Sequence, residues 1–152
     1  MRLIIAAAGK WKAAPERALY GHYAGRIRFP LELREIEEKK KLKPDALKKR
    51  EAELLLAQAP AGAIIVALDE TGKAFKSAEF AKELGTWRDD GEGHVVFIIG
   101  GADGLDDAVR NRARLVMSFG TMTWPHLLAR GMLAEQIYRA ECILAGHPYH
   151  RE

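Results

Sequence analysis

Three short stretches of the chain are apolar with almost no interruption: LIIAAA at residues 3–8, AIIVAL at 63–68 and HVVFII at 94–99. A strand with one face in water alternates apolar and polar side chains, so unbroken runs of this length suit strands covered on both faces. Each run stops at residues that suit a loop: Gly9 after the first, DETGK at 69–73 after the second, and GGADG at 100–104 after the third. Helix-type segments lie between them. That alternation predicts an α/β fold with a mainly parallel sheet and helices on both of its faces.

The remaining elements follow from local signals. Pro15 suits the first turn of a helix reaching about Arg26, and residues 31–36 read as a weaker strand nearer an edge. Pro44 opens a helix rich in strong helix formers through residue 58. Ser77 is the expected N-cap of the next helix, in which Phe80, Leu84 and Trp87 recur at helical spacing. A short helix over 106–113, a strand over 115–119 and a long helix from Pro125 to about Gly146 complete the pattern. A chain of 152 residues fits one domain, 1–152, able to fold without metal or disulfide.

Composition excludes several function classes. With a single cysteine, Cys142, neither an intramolecular disulfide nor a CxxC metal site can form, and a reducing, cytoplasmic compartment is expected. The longest uncharged run, 54–68, is shorter than the ~20 residues of a membrane helix and is broken by Gln58, Pro60 and Gly62, so no membrane partner is expected. The net charge of +3 permits nucleic-acid binding without demanding it. Lysines and arginines gather at 39–43, 48–50 and 110–114.

Ligands of parallel α/β sheets bind where the carboxyl ends of strands open into loops, which singles out the loops after Leu68, Ile99 and Phe119. GGADG at 100–104 lets backbone approach a ligand closely, yet it lacks both the GxGxxG spacing for dinucleotides and the lysine of a phosphate loop. FGTMTWPH at 119–126 joins hydroxyls, a thioether and an indole, groups that could line an apolar slot with hydrogen-bonding edges. A plain helix cap, with Thr123 as N-cap and Met122 and Trp124 in the core, is the competing reading. His126, in the first helical turn, is expected to be held neutral by the helix terminus. Glu135 and Arg139 are spaced for an exposed ion pair, and Cys142 for a buried small hydrophobe. His147 and His150 have no carboxylate or cysteine beside them in sequence, and no metal is expected there.

Taken in order, LDETGK at 68–73, SAEFA at 77–81, FIIGGADGL at 97–105, SFGTMTWPH at 118–126 and EQIYRA with HPYHR at 135–151 resemble the RlmH family. These are small SPOUT-class methyltransferases that modify pseudouridine in large-subunit ribosomal RNA. The likeness covers essentially the whole chain. It implies S-adenosyl-L-methionine as methyl donor, a homodimer, a C-terminal trefoil knot, and methylation of N3 of a pseudouridine in 23S rRNA on the ribosome, with no role for DNA. By position, the resemblance makes Leu68, Gly100, Gly101, Phe119, Gly120, Thr121, Met122, Thr123 and Trp124 cofactor contacts. It makes His126, Arg139, Tyr149, His150 and Arg151 the candidate catalytic residues.

The position of Cys142 bears on the acceptor atom. Methylation at C5 of a uracil usually needs a cysteine attacking C6, and a cysteine within the last helix is badly placed for it, so a nitrogen or ribose oxygen is favoured. The competing readings are an enzyme of the same class acting on another RNA such as transfer RNA, and a ribosome-binding module without catalysis. A nucleotide-binding Rossmann-like domain is weakened by the missing fingerprint.

Overall fold

The apolar runs become the interior strands of one sheet. The computed structural model describes residues 1–149 and contains β1 (Arg2–Ala8), α1 (Pro15–Ala24), β2 (Leu31–Ile36), α2 (Pro44–Leu56), β3 (Ile64–Ala74), α3 (Ser77–Asp89), β4 (His94–Ile99), α4 (Asp107–Arg112), β5 (Leu115–Ser118) and α5 (His126–Leu144). All strand pairs are parallel and the order across the sheet is β2-β1-β4-β3-β5. The weakly patterned β2 occupies an edge, as its mixed composition predicts. No helix among the described residues is long and apolar enough to cross a membrane.

Successive residues of a strand point to opposite faces, and β1 divides its run accordingly. Leu3, Ile5 and Ala7 join Phe80, Leu84, Phe97, Leu133 and Ile137 in a core beneath α3 and α5. Ile4, Ala6 and Ala8 join Leu55, Val96, Ile98 and Val109 in a second core beneath α2 and α4. The sheet is thus sandwiched between two helical layers, which is why its strands need apolar residues on both sides. Helix α1 packs on α5.

Two local expectations are corrected. Ser77 is the first helical residue, not the cap. Lys76 takes that place, its backbone N–H donating to Glu79 at 2.8 Å, while the Ser77 hydroxyl donates to Gln136 Oε1 at 2.9 Å. Strand β3 also does not end at Leu68. It pairs with β5 up to Leu68↔Met117, leaves the ladder, and returns at Lys73↔Met117 and Ala74↔Ser118. Residues 69–72 form the excursion, and their polar, glycine-containing sequence reads as a terminus because they make no ladder bonds.

Candidate active site

Because every strand is parallel, all carboxyl ends lie along one edge of the sheet. The β3 excursion and the loops after β4 and β5 meet there and border a cavity of about 930 Å³. Small-molecule sites commonly measure roughly 300–1,000 Å³.

The β3 excursion forms one wall. Asp69 Oδ1 accepts from the Thr71 N–H at 2.9 Å and the Thr71 hydroxyl at 2.6 Å, and Asp69 Oδ2 receives Arg110 at 2.8 Å. Burial raises the Asp69 carboxyl, but the bonds from Thr71 and Arg110 outweigh it and hold the group below its ordinary value. Gly72 brings the excursion hard against β5: a Cβ there would lie 2.7 Å from backbone atoms of Val116 and Met117. Gly100 plays the same part in the next loop, since a Cβ would come within 2.8 Å of the Gly104 carbonyl oxygen. The Gly104 N–H closes this turn by donating to the Gly101 carbonyl at 3.1 Å. The turn is therefore tight in itself and also lines the cavity.

The third wall is the β5–α5 loop. Ser118 Oγ accepts from the Gly120 N–H at 3.0 Å and donates to the Gly120 carbonyl at 2.6 Å, fixing the bend. The Thr123 hydroxyl donates to Glu70 at 3.0 Å and ties this loop to the β3 excursion. Thr123 is not the helix cap; Pro125 occupies that position. Met122 is 71% exposed and Trp124 41%, so neither fills the core and the plain-cap reading fails. Of the nine residues expected at the cofactor, eight line the cavity; Thr121 does not.

His126 also lines this cavity, at the start of α5. Its pKa is lowered, as expected, but the causes are burial first and then the Arg130 guanidinium, against a smaller opposing effect of the Ala8 carbonyl. Its Nδ1 is buried without a hydrogen-bond partner among the described residues. A neutral ring is what such a position favours.

Arg130, one turn further on, has no solvent exposure at all. It donates to the carbonyls of Ala8 at 2.7 Å and Gly9 at 2.8 Å and to Glu35 at 2.9 Å, and its guanidinium lies 4.7 Å above the Trp11 ring. Nothing in the sequence reading marks it as special. The signal was present, since Arg130 stands on the same helical stripe as Leu133, Ala134 and Ile137.

The other catalytic candidates form a separate group. Glu135 Oε1 accepts from Arg139 at 2.9 and 2.6 Å and from the Tyr149 hydroxyl at 3.1 Å, and Arg139 covers the Tyr149 ring at 4.9 Å. This is a half-buried joint rather than the exposed helix pair expected from spacing. Burial, Tyr23 and Glu135 together push the Tyr149 phenol up, keeping it protonated. Arg139 lies thirteen residues beyond His126 on the same helix, about 20 Å at 1.5 Å per residue. His150 and Arg151 lie outside the described residues. Cys142 is buried in α5, as its neighbours in the sequence suggest.

The cavity is also lined by charged side chains from several parts of the chain. Asp69, Glu70, Asp103 and Asp107 set four carboxylates against Lys48 and Arg110. Arg110 pairs with both Asp69 and Asp107, which leaves Glu70 and Asp103 to favour a cation.

The family model described as "Predicted SPOUT methyltransferase" matches residues 1–150. Two relatives named Ribosomal RNA large subunit methyltransferase H are similar over 151 residues: one from Rhodospirillum centenum, 57% identical, and one from Paramagnetospirillum magneticum, 58% identical, each covering 99% of both chains. A relative of the same name from Nitrobacter winogradskyi is 48% identical over 159 residues, again 99% of each chain. With the parallel sheet and the cavity at its carboxyl edge, these matches make the chain a member of the SPOUT methyltransferase family.

Proposed function

We propose that the protein transfers the methyl group of S-adenosyl-L-methionine to N3 of a pseudouridine in 23S rRNA on the ribosome, acting as a cytoplasmic homodimer with the trefoil knot that the resemblance implies. The observation that carries this reading is the cavity itself. It is large enough for the cofactor, eight of the nine residues expected to contact the cofactor line it, and Glu70 and Asp103 add negative charge to its rim. A sulfonium cation suits such a rim.

Bound there, the cofactor supplies an electrophilic methyl group. Leu68, where the β3 excursion begins, and the backbone of 100–101 and 119–120, after β4 and β5, line the cavity, and Met122 and Trp124 can cover its mouth and exclude water. An imide nitrogen becomes a nucleophile when it loses its proton, and neutral His126 on the cavity wall can accept that proton. Arg139 and Tyr149 can hold phosphate or the imidate oxygen. Arg139 lies about 20 Å from His126 along α5, more than the width of a base, so this reading brings Arg139 and Tyr149 of one subunit to the cavity of its partner. An apolar groove of about 610 Å³, lined by Leu19, Tyr23, Phe75, Met132 and Glu135, supports α1 and α5 as the face that meets the second copy.

Labelled S-adenosyl-L-methionine incubated with large ribosomal subunits, followed by mapping of the modified nucleotide, tests the proposal; label on N3 of a pseudouridine is expected. Faster transfer to transfer RNA would replace the substrate, and no heat on calorimetric titration with the cofactor would leave a binding module.

His126 gives a pH prediction. Its lowered pKa places the acid limb of the rate profile below the ordinary histidine value of about 6.5. In His126→Gln that limb should vanish together with most of the rate; an unchanged profile removes His126 as proton acceptor. Stability follows the same sign: the unfolded chain binds the proton more tightly, so this contribution is complete above about 6.5 and is lost as pH falls toward the folded value.

A further inference from the structure

Strands β1 and β2 pair in register from Leu3↔Leu31 to Ala8↔Ile36, so the chain leaves both at the same level, one strand spacing apart. The loop after β1 carries Lys10 and Lys12, and the loop after β2 carries Lys39, Lys40, Lys41 and Lys43; all six are exposed. Of the carboxylates beside the lysine loop, Glu38 is engaged by the Lys40 N–H at 2.9 Å and by Arg50 at 3.0 Å, while exposed Glu37 and Asp45 offset part of the positive charge. On its other side β1 pairs with β4, Ala7 opposite Ile99, so the Gly100 turn emerges beside these loops. Helix α2 starts directly after the lysine loop, and its Lys48 already lines the cavity.

The loops are held as one surface. The Gly9 N–H donates to the Ile36 carbonyl at 2.8 Å, and the Trp11 N–H donates to Glu35 at 2.8 Å. Arg130 bonds to Ala8, Gly9 and Glu35 together and lies against Trp11. A buried arginine fastening two lysine-bearing loops to the helix that begins at the cavity fixes the distance between the positive surface and the candidate reaction centre.

We propose that these two loops form a platform for the phosphodiester backbone of the RNA substrate, continuous with the cofactor cavity through Lys48. This rests on the RNA methyl transfer proposed above and specifies where the acceptor's backbone lies. Each lysine bound to a phosphate releases counterions, so affinity falls with salt by roughly 0.7–0.9 logarithmic units per contact and per decade of salt. Six contacts correspond to roughly a thousandfold loss between 50 and 200 mM salt.

The test measures binding of the full-length protein to large ribosomal subunits across a salt series, beside calorimetry with S-adenosyl-L-methionine. The double variants Lys39→Gln with Lys41→Gln, and Lys10→Gln with Lys12→Gln, should each lower the salt slope by about 1.5 and weaken binding roughly tenfold. Cofactor binding should be unchanged, which separates lost contacts from lost folding. The charge-matched control Lys82→Gln with Arg88→Gln, exposed on α3, should stay within about twofold of the parent in RNA affinity. Equal loss in the control, or an unchanged slope in the platform variants, overturns the proposal. So does a loss of affinity for anionic phosphatidylserine vesicles without a loss for RNA. Parent protein that binds RNA with the expected slope yet transfers no methyl group would leave the platform standing and remove the enzymatic reading instead.

Discussion

Gly72→Ala is expected to destabilise the protein by about 3 kcal/mol, near the upper end of the usual range for overpacking, because nothing near the new methyl group is free to turn aside. Its Cβ would lie 2.7 Å from backbone atoms of both Val116 and Met117, and two strands of the sheet would have to separate to admit it. The melting temperature should drop by roughly 10 °C for a domain of this size. Cofactor affinity should fall as well, since moving residue 72 displaces the Asp69–Thr71 wall. Gly93→Ala is the control, as a Cβ at that position meets nothing within 4 Å. Denaturant titration of the two variants decides the matter: equal midpoints would mean that β3 and β5 can part at little cost.

The second large effect is expected at Arg130. Arg130→Met removes the donors to Ala8, Gly9 and Glu35 at once, taking this donor from two carbonyls and leaving the Glu35 carboxylate with the Trp11 N–H but no positive charge beside it. Breaking a buried ion pair from one side costs about 3–5 kcal/mol, and the partial exposure of Glu35 places this case near the lower figure. Arg130→Lys should recover little, because a single ammonium cannot span three acceptors that a planar guanidinium reaches together. Urea denaturation of both variants checks this. A loss under about 1 kcal/mol in Arg130→Met would show that water replaces the guanidinium and that the β1–α1 loop needs no fastening.

The contrast between these two residues shows what a sequence reveals. The strands over 3–8, 64–68 and 94–99 are legible because burial on both faces demands unbroken apolar runs, and the glycine turn is legible because it follows one directly. The return of β3 at Lys73 is not, since the two residues that re-enter the ladder carry no pattern and depend on a contact with β5, more than 40 positions away. Ser77 looked like a cap by residue type alone, whereas its hydroxyl found a long-range acceptor in Gln136. Arg130 has no signal by residue type, because an arginine is usually at the surface. Its place on an apolar helical stripe was the contrary sign. The carboxylates of the rim come from the β3 excursion, the Gly100 turn and the start of α4, and they form a rim only once those parts are brought together.

The strand order has a consequence for how the chain can assemble during synthesis. β4 lies between β1 and β3, so the β1–β2 pair and β3 share no edge until residues 94–99 arrive. A nascent chain ending before His94 holds two fragments, each with an open flank that only the missing strand can cover. The domain must therefore wait until nearly two thirds of its length has emerged before a continuous sheet can form, and until then its most apolar edges depend on protection from other chains.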